Sequence, residues 1–332
     1  MASNSTVDPP VIAILGATGT QGQGVVAALL RCTETPFSVL ALTRDIASEA
    51  TQRLQARYQG DNRLKFGFAN AYDFESLLTA FKDAYGVFAV TNTRLSGETI
   101  ESEEDMRHEV TAGQNIYRAA KACGIKHFVM SSLPSISIAS SGKFQKVFHF
   151  DQKHEIEEMA REELPATFVY PGLFYSNLNW PQYSIQEDGV IYLTAPLSAD
   201  KKVDWVDPCY DIGVFVAKIF HLGPQKTASK TYPVVGTKIS IRQMADILEI
   251  NISKRVIVTP STVEQWGACI SAKAGPGYRQ DIEQMMEWIN VAPDDKNLAC
   301  ERVLSKSGLN GIIGKGLDLR SREYLFGRFS ET

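Results

Sequence analysis

The stretch that most limits what this chain can fold into runs from Val11 to Arg31: VIAILG, then GATGTQG, then QGVVAALLR. The first piece is a short, nearly unbroken apolar run, the pattern of a strand buried on both faces of a parallel sheet. The last piece sets Val25, Val26, Leu29 and Leu30 at helical spacing. Between them Gly16, Gly19 and Gly22 are spaced G-x-x-G-x-x-G. Glycines there permit positive φ and let backbone approach a phosphate closely. The helix that follows points its free N–H groups and positive dipole end at a pyrophosphate. A glycine turn alone is common, and the competing reading is a merely structural turn. Its place between a buried strand and an amphipathic helix favours a dinucleotide site.

The alternation continues. Strands are predicted at 38–44, 64–69, 85–93, 127–133 and 166–172, with helices at 48–58, 73–81, 102–122 and over KVFHFDQKHEIEEMAREEL. This is the pattern of an α/β, doubly wound parallel Rossmann sheet. Beyond 172 the pattern loosens, and YPVVG, SIRQMADIL, RVIVT and DIEQMMEWI suggest a second, smaller mixed α/β lobe. The expected organisation is a disordered tail over 1–10, a nucleotide-binding domain over 11–175 with 202–222 packing back on it, and a smaller substrate or partner lobe from 176–201 and 223–332. The glycine-rich GLNGIIGKG at 308–316 is a candidate cover for the cleft.

Composition excludes several alternatives. The net charge of −4 argues against nucleic acid as a direct partner. The five cysteines, Cys32, Cys123, Cys209, Cys269 and Cys300, are scattered without a C-x-x-C pair, as in a reduced cytoplasmic protein. Neither they nor the five histidines form a metal motif, so no metal is expected. The polar lead-in MASNSTVDPP has no apolar core of a signal peptide, and no apolar run approaches the roughly 20 residues of a membrane span.

The end of the second strand selects the cofactor. NAD sites place an acid there for the ribose hydroxyls. This chain has Thr43-Arg44, and an arginine can hold a 2′-phosphate in bidentate fashion, so NADP(H) is expected ahead of NAD(H). Asp45, one step further on, is the complication, and a solvated strand-end charge is the plain alternative for Arg44.

With these pieces placed, the chain resembles the NmrA-like family of atypical short-chain dehydrogenase/reductases. The matching stretches are ILGATGTQGQGVV, LALTRD, VFAVTN, EVTAGQNIYRAAKACGIKHFVMSS, HFDQK and ATFVYPGLFYSNL. Weaker ones run through APLSADKKVDWVDPCYDIGVFVAKIFHLGPQK and PGYRQDIEQM. The resemblance implies a cleft between a Rossmann domain and a smaller lobe. It also implies cofactor contacts at Gly16, Thr18, Gly19, Thr20, Gln21, Gly22, Arg44, Thr91, Asn92, Lys153, Gly172, Phe174 and Tyr175. Many relatives carry Gly-Asp near the adenine where this chain has Ala69-Asn70-Ala71, and Asn70 could still hydrogen-bond there. Members include reductases, several of them in fungal secondary metabolism, and redox sensors that bind NAD(P) without turnover and control a partner protein such as a transcription factor.

Ordinary short-chain dehydrogenases use Tyr-x-x-x-Lys, in which tyrosine donates a proton and lysine holds the nicotinamide ribose. Here HFDQK keeps Lys153 and puts His149 in the tyrosine position, both on one helix face. Either His149 is the acid, since imidazole titrates near neutrality, or it is packing and Lys153 only anchors cofactor. Ser131 and Ser132 end the fifth strand, where a serine can meet a substrate oxygen or merely cap the strand. Tyr175 is another candidate donor. The aromatics Phe174, Tyr175, Trp180, Tyr183 and Tyr192 either line a pocket for a small apolar substrate or form core. Two functions follow: an NADP(H)-dependent reductase of a C=O or C=N group, with redox-assisted cyclisation as a variant, and a non-catalytic sensor. The oligomeric state is left open.

Overall fold

Each apolar run becomes a strand, and each helical stripe carries the chain back to lay the next strand parallel to the last. The computed structural model describes residues 8–32, 36–94, 97–236 and 238–293. The candidate cover at 308–316 and most of the lead-in lie outside the described residues. The first half comprises β1 (Val11–Leu15), α1 (Thr20–Arg31), β2 (Ser38–Thr43), α2 (Glu49–Arg57), β3 (Leu64–Phe68), α3 (Phe74–Phe81) and β4 (Gly86–Val90). It continues with α4 (His108–Ala122), β5 (His127–Ser131), α5 (Ile136–Ala139), α6 (Phe148–Glu163) and β6 (Thr167–Pro171). The helix predicted from 102 opens instead with a 3₁₀ turn at Glu104–Arg107. Asp105 there accepts hydrogen bonds from the Ser102 N–H at 2.8 Å and its hydroxyl at 2.9 Å, tightening the first turn.

The second half comprises β7 (Leu173–Phe174), β8 (Ser184–Glu187), β9 (Val190–Ala195), β10 (Val203–Val206), α7 (Asp211–Leu222), α8 (Pro224–Thr227) and β11 (Thr231–Val234). Then follow β12 (Lys238–Ile239), α9 (Ile241–Ile252), β13 (Val256–Pro260), α10 (Val263–Ala274) and α11 (Arg279–Val291). The large sheet has seven strands in the order β3-β2-β1-β4-β5-β6-β11, all parallel. Strand order reverses between β1 and β4, the place where such sheets open a crevice at their carboxyl ends. One face is covered through Val25, Leu29, Leu54, Phe215 and Ile219, which places α1, α2 and α7 there. The other is covered through Leu77, Phe81, Ile116 and Ile156, from α3, α4 and α6. The fold is therefore a doubly wound α/β sheet with smaller mixed sheets beside it.

Two features bind the later chain to the sheet. At the crossing of α7 over α1, a Cβ on Gly24 would lie 1.7 Å from the Cys209 carbonyl oxygen, and one on Gly213 would lie 2.2 Å from that of Gly24. Only glycines let these backbones touch. The YPVV strand, grouped by its position with the smaller lobe, pairs with β6 at the sheet edge as β11. A four-residue apolar strand carries no mark of which sheet it will join, whereas the open edge of β6 supplies ladder partners. Tyr232 and Val234 are buried there.

The remaining strands form two three-stranded sheets, β12-β10-β7 and β13-β9-β8. A separate core joins Tyr183, Leu248, Trp266, Met286 and Trp288. Capping boxes at Ser240 and Thr262 fix the starts of α9 and α10 by pairing the cap hydroxyl with the third backbone N–H and the glutamine there with the cap N–H. No helix among the described residues is long and apolar enough to cross a membrane.

Candidate functional site

The glycine turn joins β1 to α1 at the reversal of strand order. Gly16 has φ +79°, and its carbonyl accepts the Gly19 N–H at 2.9 Å, closing the turn. A Cβ on Gly22 would come within 2.2 Å of the Gly16 oxygen, so α1 packs directly onto the turn. Gly19 caps α1 without any side-chain bond to the first-turn amides, which leaves those donors for a ligand. The Gln21 Oε1 atom is buried without a hydrogen-bond partner among the described residues. Close backbone approach and unclaimed donors together fit a dinucleotide pyrophosphate, whereas the orphaned Gln21 Oε1, an acceptor, suits a hydroxyl donor of the same ligand.

At the end of β2, Arg44 is exposed and lines the same cavity. The Asp45 carboxylate is turned into its own loop, accepting the Ala47 N–H at 2.9 Å. The Asp45 carbonyl accepts the hydroxyls of Ser48 and Thr51, both at 2.9 Å. Asp45 thus shapes the loop that presents Arg44. Asn70 follows β3 and holds the next turn, its Oδ1 accepting the Tyr72 N–H at 3.1 Å. Tyr72 and the His108 behind it escaped the sequence reading. The Thr93 carbonyl can only accept, so His108 Nε2 donates to it at 3.0 Å and Nδ1 accepts from the Tyr72 hydroxyl at 2.8 Å. Burial, and secondarily the Glu109 charge, pushes that phenol up to about 12.

Lys153, on the cavity-facing side of α6, reaches under β4. Its ammonium donates to the Thr91 hydroxyl at 2.9 Å, to the Thr91 carbonyl at 3.2 Å and to the Glu109 carboxylate. Glu109 is wholly buried on α4. Burial raises its carboxyl, but the Lys153 charge and hydrogen bonds from Lys153, Thr91 and Thr93 outweigh that and hold it below the usual carboxylate range. Sequence reasoning missed this acid. So it did Asp281, from α11, which clasps His149. The Asp281 carboxylate accepts the His149 backbone N–H at 2.9 Å and meets Nδ1 at 2.6 and 2.8 Å. A carboxylate acceptor places the proton on Nδ1 and leaves Nε2 as the ring's free nitrogen. The His149 side chain is 17% exposed and Asp281 is 1% exposed. At the end of β5, Ser131 and Ser132 both line the cavity, and the Ser132 hydroxyl donates to the Lys153 carbonyl at 3.2 Å.

One cavity of about 1130 Å³ joins these parts. It is lined by Gly16, Thr18, Gly19, Thr20, Gln21 and Gly22, then Arg44, Asn70, Thr91 and Asn92, and then Ser131, His149, Lys153, Gly172 and Phe174. Gly172 lets β7 approach β10, since a Cβ there would be 2.6 Å from the Asp204 carbonyl oxygen. Tyr175 is the exception among the sequence-derived candidates. It is buried, stacked on Trp205 with centroids 5.7 Å apart, and is not part of the cavity wall. Burial, with Asp211 nearby, raises its hydroxyl, and its ring packs on Trp205 instead of facing the cavity. Of the other aromatics, Trp180 and Tyr183 do line the cavity, joined by Trp266, Tyr278 and Trp288. No metal-ligating cluster occurs among the described residues.

Comparison with known proteins places this architecture. The chain is 28% identical over 257 residues to the NmrA-like family domain-containing oxidoreductase malD of Malbranchea aurantiaca, covering 74% of each chain. It is 30% identical over 183 residues to the nitrogen metabolite repression protein nmrA of Emericella nidulans, covering 53% of this chain and about half, 50%, of that one. Among solved structures, NmrA, a negative transcriptional regulator in complex with NADP, superposes with a TM-score of 0.74 at 21% identity, covering 97% of this chain and 96% of the other. The sequence pattern of the NmrA-like family matches residues 9–309. The chain belongs to the NmrA-like family.

Proposed function

We propose that this protein is an NADP(H)-dependent oxidoreductase acting on a C=O or C=N group of a small, mostly apolar metabolite, in the manner of the oxidoreductases of fungal secondary metabolism. The carrying observation is the continuity of the cavity from the glycine turn, past Lys153 and His149, to an aromatic wall. Its volume of about 1130 Å³ exceeds the upper end, about 1,000 Å³, of ordinary single-ligand pockets. A dinucleotide would fill the glycine-turn end, and the aromatic wall beyond Lys153 and His149 is where a second molecule would lie. With that dinucleotide bound, its reduced nicotinamide would supply a hydride.

The chain's own residues do the rest. The amides at the start of α1 hold the pyrophosphate, and Arg44 meets the 2′-phosphate. All three N–H bonds of Lys153 have protein acceptors, so a ribose hydroxyl reaches it by displacing the longest, to the Thr91 carbonyl. His149, oriented by Asp281, offers Nε2 for proton transfer to the substrate heteroatom, where the usual tyrosine would stand. Ser131 is placed to hold that heteroatom.

The second reading is a non-catalytic NAD(P)(H) sensor that controls a partner protein. It draws on the absent tyrosine, on the full engagement of Lys153, and on relatives named as repression proteins. Calorimetry with both forms of both pyridine nucleotides tests the shared premise, and silence with all four would refute both readings. Turnover of a carbonyl and imine panel with NADPH then separates them. In the reductase reading, His149→Ala and Lys153→Ala each lower turnover by about 10²-fold or more. Binding of NADPH with no turnover across the panel would favour the sensor.

A further inference from the structure

The lobe-side end of the cavity holds a cation that the chemistry above leaves unused. Arg94 lies four residues beyond the end of β4, and its guanidinium carbon is 4.7 Å from the ring centroid of Trp180 and 5.8 Å from that of Tyr278. All three residues line the cavity. Tyr278 is almost wholly buried, and its hydroxyl donates to the Thr93 carbonyl, so this wall is fixed from behind. Trp180 leans on Tyr183 at 6.5 Å, and Tyr183 meets Trp266 edge-on at 4.6 Å. Arg94 is therefore held in an aromatic frame with its in-plane donors available.

The other cations of the wall, and Asp204, are answered by the protein. Lys153 meets Glu109, His149 meets Asp281, and Asp204 lies 3.6 Å from Lys238. Among the described residues of the cavity, Arg44 and Arg94 are the cations without a carboxylate in ion-pair distance. Arg44 stands at the end of β2, where the 2′-phosphate is expected. Arg94 stands past β4, among side chains of the smaller lobe.

We propose that the cavity is built for an aromatic carboxylic acid that also carries the reducible C=O or C=N group, with its ring against the Trp180–Tyr183–Trp266 wall and its carboxylate, which is not itself reduced, forked on Arg94. One guanidinium matches one carboxylate monoanion in charge and in bidentate geometry. A phosphate dianion would leave a charge unanswered among these rings. The inference deepens the reductase reading by naming its substrate class, and rests on it.

The test uses 2-naphthoate and 2-naphthamide, which differ in charge and little in shape. Each is titrated against the full-length protein, alone and saturated with NADP⁺, following tryptophan fluorescence and heat. The acid is expected to bind at least about tenfold more tightly than the amide. That preference should shrink between about 50 mM and about 500 mM NaCl, because the contact opens to solvent. Arg94→Met, which keeps the apolar stem, should abolish the preference with NADP⁺ affinity unchanged, and Arg94→Lys should restore part of it. Equal binding of acid and amide to the wild type, or a salt-independent preference, overturns the proposal. So does an Arg94→Met variant that loses NADP⁺ affinity, since Arg94 would then belong to the cofactor. Failure of the wild type to bind NADP⁺ refutes the reductase reading instead, and the titration of the protein alone still decides this one.

Discussion

Glu109→Gln removes a charge from behind Lys153 while keeping the side chain's shape. Glutamine can still accept from the ammonium, but the ammonium then has no counter-charge. Glu109 is 0% exposed and the Lys153 side chain 11% exposed. Deleting one partner of a buried pair costs about 3–5 kcal/mol. The contact of Lys153 with the cavity, where water screens it, moves the expectation to about 2–3 kcal/mol. At about 2–4 °C per kcal/mol for a chain of this size, Tm should fall by roughly 4–12 °C. Lys153→Met leaves the mirror defect, a carboxylate without its cation, at a similar cost. The double variant buries neither charge and should lose less than the sum of the two, with a coupling of at least about 2 kcal/mol. Urea unfolding at pH 7 measures all four proteins, and a constant slope keeps the comparison sound. The pH dependence has a defined sign. Because the Glu109 carboxyl is held below the usual range, the pair's contribution is fully present above the ordinary carboxylate pKa. It is lost as pH falls through the lower folded-state value. Additive losses, with coupling under about 0.5 kcal/mol, would mean that the two side chains do not form an ion pair and would refute the reasoning.

Arg44→Glu should weaken NADPH binding by about 100-fold and NADH binding far less, read by calorimetry, because it replaces a charge-assisted contact with repulsion; equal losses would remove Arg44 from the 2′-phosphate. Gly22→Ala puts a methyl 2.2 Å from the Gly16 oxygen. It should shift the start of α1, cost about 1–3 kcal/mol and lower dinucleotide affinity at least about tenfold; unaltered affinity would detach the turn from the ligand. Asp211 is pushed up to about 6, first by burial. With its folded pKa raised, the stability it contributes is full below the ordinary carboxylate value and is lost as pH rises through about 6. Asp211→Asn, which can still accept the Asp207 N–H now bonded at 2.8 Å, should therefore stabilise the protein by about 1–3 kcal/mol at pH 7.5. A thermal-melt advantage that did not shrink from pH 7.5 toward pH 4 would contradict this.

The sheet was legible because six of its seven parallel strands read as apolar runs at regular intervals, and a period-two or period-3.6 pattern needs no partner to be seen. The glycine-turn end of the cavity was legible for the same reason, since glycine turn, Arg44 and the Lys153 helix are local patterns at fixed offsets. The acids behind the site were not read. Glu109 is 44 positions from Lys153 and Asp281 is 132 from His149, and sequence spacing does not report such pairings. A weaker signal was present in both cases. Glu109 stands in line with Ala112, Gly113, Ile116 and Ala120, and Asp281 with Met285, Trp288 and Ile289, all buried. An acid in register with an apolar stripe must be buried, and a buried acid needs a cation or several donors. Tyr175 misled for the opposite reason: its neighbours Phe174 and Ser176 face the cavity, but a 3₁₀ turn at Tyr175–Asn179 rotates it onto Trp205.

The crossing at Gly24 and Gly213 has a bearing on how the protein is made. The helix that closes over α1 and the strand that completes the sheet are encoded far downstream, so a nascent chain that has reached only Tyr175 lacks the partner that α1 meets at Gly24 and leaves the β6 edge bare. A ribosome must travel past Val234 before the nucleotide half can settle. Gene fragments that stop short of that codon are therefore expected to yield chaperone clients and aggregates, not a portable binding cassette.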